Sequence, residues 1–182
     1  MGTSADQSLY LMKQTRLLTG RPGVGKTTLI RQAISGTDRI AGGFYTREIR
    51  VRMQRQGFEI VTLDGPTAIL SHVDFHSPHR VGKYGVNVDN LNSLGVAALR
   101  RAIEDCEVVV IDEIGKMELF SLPFRESVLE AINSGKKVLG TIMLQPHPWA
   151  DQIKKDARVK VLPVTRASRQ HVLELVQAWL RE

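Results

Sequence analysis

An α/β fold, with a mostly parallel sheet between two helical layers and a β-hairpin insert, is what the sequence predicts, on three observations. Strand-like apolar runs alternate with helix-like periodicity from residue 15 onward. A complete glycine-lysine loop joins the first strand pattern to the first helix pattern. A four-residue apolar run, Val108-Val109-Val110-Ile111, ends in two adjacent carboxylates, Asp112 and Glu113.

The chain has 182 residues, which suits one domain with one core, and residues 15–182 are read as that domain. Residues 1–14, polar and rich in small residues with a second methionine at Met12, read as a flexible leader or a remnant. With 42% hydrophobic and 24% charged residues, the composition excludes a disordered or fibrous chain. No apolar run approaches the roughly 20 residues of a membrane span, and no signal peptide's apolar middle is present, so a cytoplasmic protein with no membrane partner is expected. Cys106 is the single cysteine, which rules out an internal disulfide and predicts a buried, inert thiol. The net charge of +6 favours anionic partners. Scattered basic residues and only 5% aromatics do not favour nucleic acid, although they leave it open. Nothing in the sequence specifies an oligomeric state.

Residues 15–19 are apolar in the middle and run into Gly20, as a buried strand entering a turn does. Leu29, Ile30, Ala33 and Ile34 recur at helical spacing until Ser35-Gly36 stops the helix. Strand-type alternation then fills residues 44–51, 58–63 and 68–73, with turns expected at Gln56-Gly57, Asp64-Gly65-Pro66 and Ser77-Pro78. Leu91, Leu94, Ala98, Leu99 and Ile103 form a helical stripe with Asp89 or Asn90 as its cap. It feeds the strand at 108–111. A helix over about 123–133 ends at Ser134-Gly135, a strand follows at 137–142, and a short strand at 159–162 precedes a last amphipathic helix over 172–180.

Gly20-Arg21-Pro22-Gly23-Val24-Gly25-Lys26-Thr27 fills every fixed position of G-x-x-x-x-G-K-[ST]. Placed between a strand and a helix, such a loop aims backbone N–H groups and a helix N-terminus at a phosphate. Lys26 would set a point charge against the β- and γ-phosphates, the Thr27 hydroxyl would give Mg²⁺ one oxygen, and Thr28 would continue the first turn. An ordinary glycine turn before a helix is the plainer alternative. The run ending at Asp112, expected beside the phosphate-loop strand, carries that carboxylate to the sheet's C-terminal edge as a Mg²⁺ partner. Glu113 is then free to orient and polarise an attacking water, which a hydrolase requires and a binding module does not.

The stretch Asp112-Glu113-Ile114-Gly115-Lys116-Met117-Glu118-Leu119-Phe120 resembles the signature of the THEP-type nucleoside-triphosphatases, the family of cancer-related nucleoside-triphosphatase. The resemblance extends through the phosphate loop with Thr28 and through Gly43-Phe44-Tyr45-Thr46, Val61-Thr62-Leu63, Arg80-Val81-Gly82-Lys83-Tyr84 and Leu139-Gly140-Thr141-Ile142, so it covers nearly all of residues 13–182. Residues 71–79 and 143–151 depart from the pattern. The resemblance implies a three-layer P-loop NTPase fold, RecA-like or AAA-like. It also implies slow, Mg²⁺-dependent hydrolysis of ATP, GTP and other NTPs to NDP and phosphate.

Phosphoryl transfer also needs a cation on the transition-state oxygens. Lys116 ranks first, then Arg80, then Arg50, each against the alternative of a solvated surface charge. His72, Asp74, His76 and His79 crowd one segment, but their spacing fits no standard metal site. Thr165, Arg166 and Arg169 follow the last strand, where a base or ribose would rest; an exposed helix start explains them equally. The rival functions are a nucleotide or nucleoside kinase, for which no arginine-paired lid or helical acceptor region is visible, and an NTP-binding regulatory or RNA-linked switch.

Overall fold

A computed structural model of the chain describes residues 14–182. The expected leader therefore lies outside the described residues except for Gln14, whose carbonyl already accepts from the Val138 N–H at 2.8 Å. Strand β1 (Thr15–Thr19) leads through the glycine loop into helix α1 (Lys26–Ser35). Five strands follow: β2 (Ala41–Val51), β3 (Gln54–Thr62), β4 (Thr67–His72), β5 (Arg80–Val81) and β6 (Tyr84–Val86). Helix α2 runs without interruption through Val88–Asn90, the π-helical Leu91–Val96 and Ala97–Asp105. Strand β7 (Val108–Ile114), a 3₁₀ turn at Glu118–Phe120 and helix α3 (Leu122–Asn133) come next. The chain continues through β8 (Lys137–Ile142), α4 (Pro148–Lys155), β9 (Val159–Pro163) and α5 (Arg169–Arg181).

All nine strands form one sheet in the order β5-β6-β4-β3-β2-β7-β8-β1-β9. The five strands from β2 to β9 in that order pair in parallel, while β2 to β6 pair antiparallel. The expected hairpin insert is thus an extension of the main sheet. Strand β2 joins the two halves: Ala41 to Phe44 pair with β7, and Phe44 to Val51 pair with β3.

Adjacent strand residues point to opposite faces, and here both faces are covered. Leu17, Val109 and Ile111 pack with residues of α2, α3 and α4, whereas Leu18, Val108, Val110 and Leu139 pack with α1 and α5. Double coverage explains why β7 reads as an unbroken apolar run. Each fully buried Leu, Ile or Val contributes roughly 1.5–3 kcal/mol, so this central ladder holds the site's frame rigid.

Several local expectations change. The β2–β3 turn falls at Arg52 and Met53, both at positive φ, and not at Gln56-Gly57. Gly57 sits inside β3 because β4 passes so close that a Cβ there would lie 2.0 Å from the Ser71 carbonyl oxygen. The cap of α2 is Asn87, whose Oδ1 accepts from the Asn90 N–H at 2.9 Å, displacing Asp89 and Asn90 from that role. Helix α4 was not anticipated; it starts at Pro148 with the His147 side chain accepting from the Trp149 N–H. Strand β7 does not lie beside β1, because β8 pairs with both. Cys106 is half-buried, with burial pushing its thiol pKa up.

Candidate active site

The phosphate loop stands at the C-terminal end of β1. Gly25 takes φ +91°, a left-handed conformation that suits glycine, and an added Cβ would come within 2.8 Å of Arg169 Nε. No side chain among the described residues caps α1 behind it, which leaves its first N–H groups to face an anion. Gly20, Arg21, Pro22, Gly23 and Val24 form the rest of the loop, with Val24 N–H donating to the Arg21 carbonyl at 3.4 Å. Lys26 folds back over it, its Nζ donating to the Gly20 and Arg21 carbonyls at 2.9 and 3.2 Å. Those carbonyls hold the ammonium over the loop, and a polyphosphate's oxygens would be stronger, charged acceptors.

Two strands away, Asp112 is 1% exposed. Its Oδ1 accepts from Thr141 Oγ1 at 2.6 Å, and its Oδ2 is buried with no hydrogen-bond partner among the described residues. Burial raises its pKa, while Thr141, Thr27 and the Lys26 ammonium pull the other way. An orphaned carboxylate oxygen near the Thr27 hydroxyl is a hard-oxygen donor set of the type Mg²⁺ takes, so the residues fit that ion. Glu113 is also raised, first by burial and then by the Asp112 charge, with Lys26 opposing.

Two further residues at the site carried no assigned role in the sequence reading. Thr141, the next-to-last residue of β8, donates to Asp112; its local signal is a hydroxyl interrupting an apolar strand. Glu118, 4% exposed, has its pKa pushed well up by burial and then by the charge of Glu113. A Cβ on Gly115 would lie 2.4 Å from Glu113 Oε1 and 3.0 Å from Glu118 Oε2, so both carboxyls converge on that glycine. The signal was an acid set between Met117 and Leu119.

The sheet brings Lys26, Thr27, Asp112 and Glu113 together, as the charge of Lys26 on both acids attests. Thr28 is exposed on the first turn of α1. Lys116 is exposed, with no hydrogen bond or ion pair among the described residues. Arg80 is engaged elsewhere: its guanidinium donates to the Phe75 and Lys83 carbonyls at 3.2 and 2.9 Å. Its hairpin nevertheless reaches back to the segment after β7, since the His79 ring lies 4.9 Å from that of Phe120. Arg50 pairs with Glu48 and Arg47 with Glu59. His72 Nδ1 is 3.4 Å from Asp74, and no cluster of three or more ligating side chains occurs among the described residues. None of the described helices is long and apolar enough to cross a membrane.

A phosphate-loop lysine whose hydrogen bonds among the described residues go only to its own loop's carbonyls, with a buried aspartate near the end of a nearby strand, is an arrangement of P-loop nucleoside triphosphatases, and the fold places the chain in that class. Known proteins narrow it. A family model described as NTPase matches residues 15–177, and the chain belongs to that nucleoside-triphosphatase family. It is 44% identical over 165 residues to nucleoside-triphosphatase THEP1 of Thermotoga maritima, covering 91% of this chain and 94% of that one. It is 41% identical over 174 residues to the human cancer-related nucleoside-triphosphatase, covering 86% and 90%. The crystal structure of THEP1 from the hyperthermophile Aquifex aeolicus superimposes with a TM-score of 0.84 at 36% identity, over 92% of this chain and 99% of that one.

Proposed function

We propose that the chain is a Mg²⁺-dependent nucleoside-triphosphate phosphohydrolase, converting NTP and water to NDP and phosphate, slowly and with little selectivity for the base. The observation that carries this reading is the juxtaposition of the glycine loop with a buried Asp112 whose Oδ2 has no hydrogen-bond partner among the described residues, next to Glu113. Backbone N–H groups within residues 20–28, of which Pro22 has none, would cradle the phosphates, and Lys26 would move from its loop carbonyls to the β- and γ-phosphate oxygens. Thr27 and Asp112 would hold Mg²⁺, which when bound neutralises the oxygens of the β- and γ-phosphates. Glu113 would orient a water and take its proton as the water's oxygen bonds to the γ-phosphorus and the bridging P–O bond breaks, releasing NDP. A carboxylate whose pKa is raised by burial and a neighbouring carboxylate is a better proton acceptor than an exposed one.

Lys116 is the first choice for the cation on the equatorial oxygens, because its ammonium is uncommitted among the described residues. Arg80 ranks second, since it would have to leave two carbonyls to serve. We place the protein in the cytoplasm, acting on free nucleotides. The test is phosphate release from a panel of NTPs with and without Mg²⁺ and with no acceptor added. Hydrolysis of several NTPs only with Mg²⁺ is the expected result; consumption that waits on an added hydroxyl or phosphate acceptor would make the chain a kinase.

A further inference from the structure

We infer that Arg169, anchored by Gln32, grips the α-phosphate of the bound nucleotide. The inference rests on the proposed NTP site and assigns its nucleoside end.

Sheet order gives the polyphosphate a direction. Asp112, the proposed Mg²⁺ ligand, stands near the C-terminal end of β7, which lies beyond β8 on one side of the phosphate-loop strand β1. The γ-phosphate end points that way. On the other side of β1 lies β9, followed directly by α5, whose first residue is Arg169. The nucleoside end must leave on this side.

Arg169 meets the loop there. Its Nε lies 2.8 Å from the position a Gly25 Cβ would take, and its Nη2 donates to Gln32 Oε1 at 3.0 Å. Residues 25, 28 and 32 fall at i, i+3 and i+7, one stripe of α1, so the guanidinium spans the face on which Thr28 stands. The phosphate loop's backbone cradles the α- and β-phosphates along that stretch. Arg169 has no carboxylate partner among the described residues, and its Nε is a buried donor with no hydrogen bond. Guanidinium donors left unmet beside a phosphate cradle are matched by phosphate oxygens.

The support is firm. Val164 N–H donates to the Thr19 carbonyl at 2.7 Å, and Thr165 and Ser168 bond each other reciprocally at 3.0 and 3.1 Å, which fixes the loop that delivers Arg169. Beyond Gln32 an open groove of about 440 Å³, bordered by Thr28, Arg31, Ser35 and Gly36, gives a nucleoside room without an aromatic platform to select its base.

Calorimetry with ADP and with inorganic pyrophosphate, both with Mg²⁺, tests this. Pyrophosphate can satisfy Lys26, Thr27 and Asp112 without reaching Arg169. In Arg169→Ala the Kd for ADP should rise about tenfold and that for pyrophosphate less than about twofold. Arg169→Lys, which keeps a cation against Gly25 should the alanine variant fail to fold, should weaken ADP about threefold, because a single ammonium replaces the planar fork. Unchanged ADP affinity, or equal losses for both ligands, overturns the inference. Absence of phosphate release by the wild type would sink the hydrolase reading alone, since ADP binding does not depend on turnover.

Discussion

Thr141 Oγ1 donates to Asp112 Oδ1 at 2.6 Å from β8, the strand lying between the carboxylate's own strand and the phosphate loop's. The bond crosses from one parallel strand to its neighbour and uses one carboxylate oxygen, leaving the other for a cation. Thr141→Val keeps the shape and deletes the donor. The Mg²⁺ concentration giving half-maximal turnover should rise by about 10-fold or more, as partners of metal ligands usually show. An unaltered Mg²⁺ titration would mean that Asp112 needs no such support.

Glu118 contributes to the pH dependence of stability, in the same direction as Asp112 and Glu113. Its folded-state pKa is raised above the unfolded value, so between the two the native protein keeps a proton that the unfolded chain has lost. Stability must therefore fall as pH climbs through that window. Glu118→Gln, neutral at every pH, removes this group's share of the slope and leaves that of Asp112 and Glu113. In chelator-treated protein the variant should melt a few degrees higher than wild type at pH 8, on the order expected for 1–2 kcal/mol, and almost together with it at pH 4. Equal melting temperatures at pH 8 would show that the buried carboxyl carries no such cost.

The two candidate cations separate on their commitments. Lys116→Ala should lower kcat at least about tenfold with the KM for NTP changed less than about threefold, because the contact forms only as charge builds up in the transition state. Arg80→Ala, which frees the Phe75 and Lys83 carbonyls, should lower the melting temperature by a few degrees and kcat by a smaller factor. Steady-state kinetics and melting curves on both variants check this; the reverse order would move the transition-state role to Arg80.

The phosphate loop and the Asp112-Glu113 strand end were legible because their chemistry demands fixed residue types at contiguous positions. What escaped depends on distant neighbours. Gly57 looks like a turn residue, yet the close passage of Ser71 keeps it in a strand, while Arg52 and Met53 make the turn without a glycine. Helix α4 buries only Ala150 and Ile153, too few apolar positions to show a period. That β8 lies between β1 and β7 is a matter of strand order, which no local pattern records. The same gap concealed Thr141, whose role exists only once β8 is next to β7. Glu118 has its role only when the chain turns at Gly115 and brings it back to Glu113.

Glu113→Gln tests the central claim most directly, because it removes the proton acceptor and leaves the phosphate loop, Thr27 and Asp112 in place. Nucleotide affinity by calorimetry should stay within about threefold of wild type, while single-turnover release of phosphate from ATP with Mg²⁺ should slow by at least about 100-fold. Release at the wild-type rate would contradict the assignment.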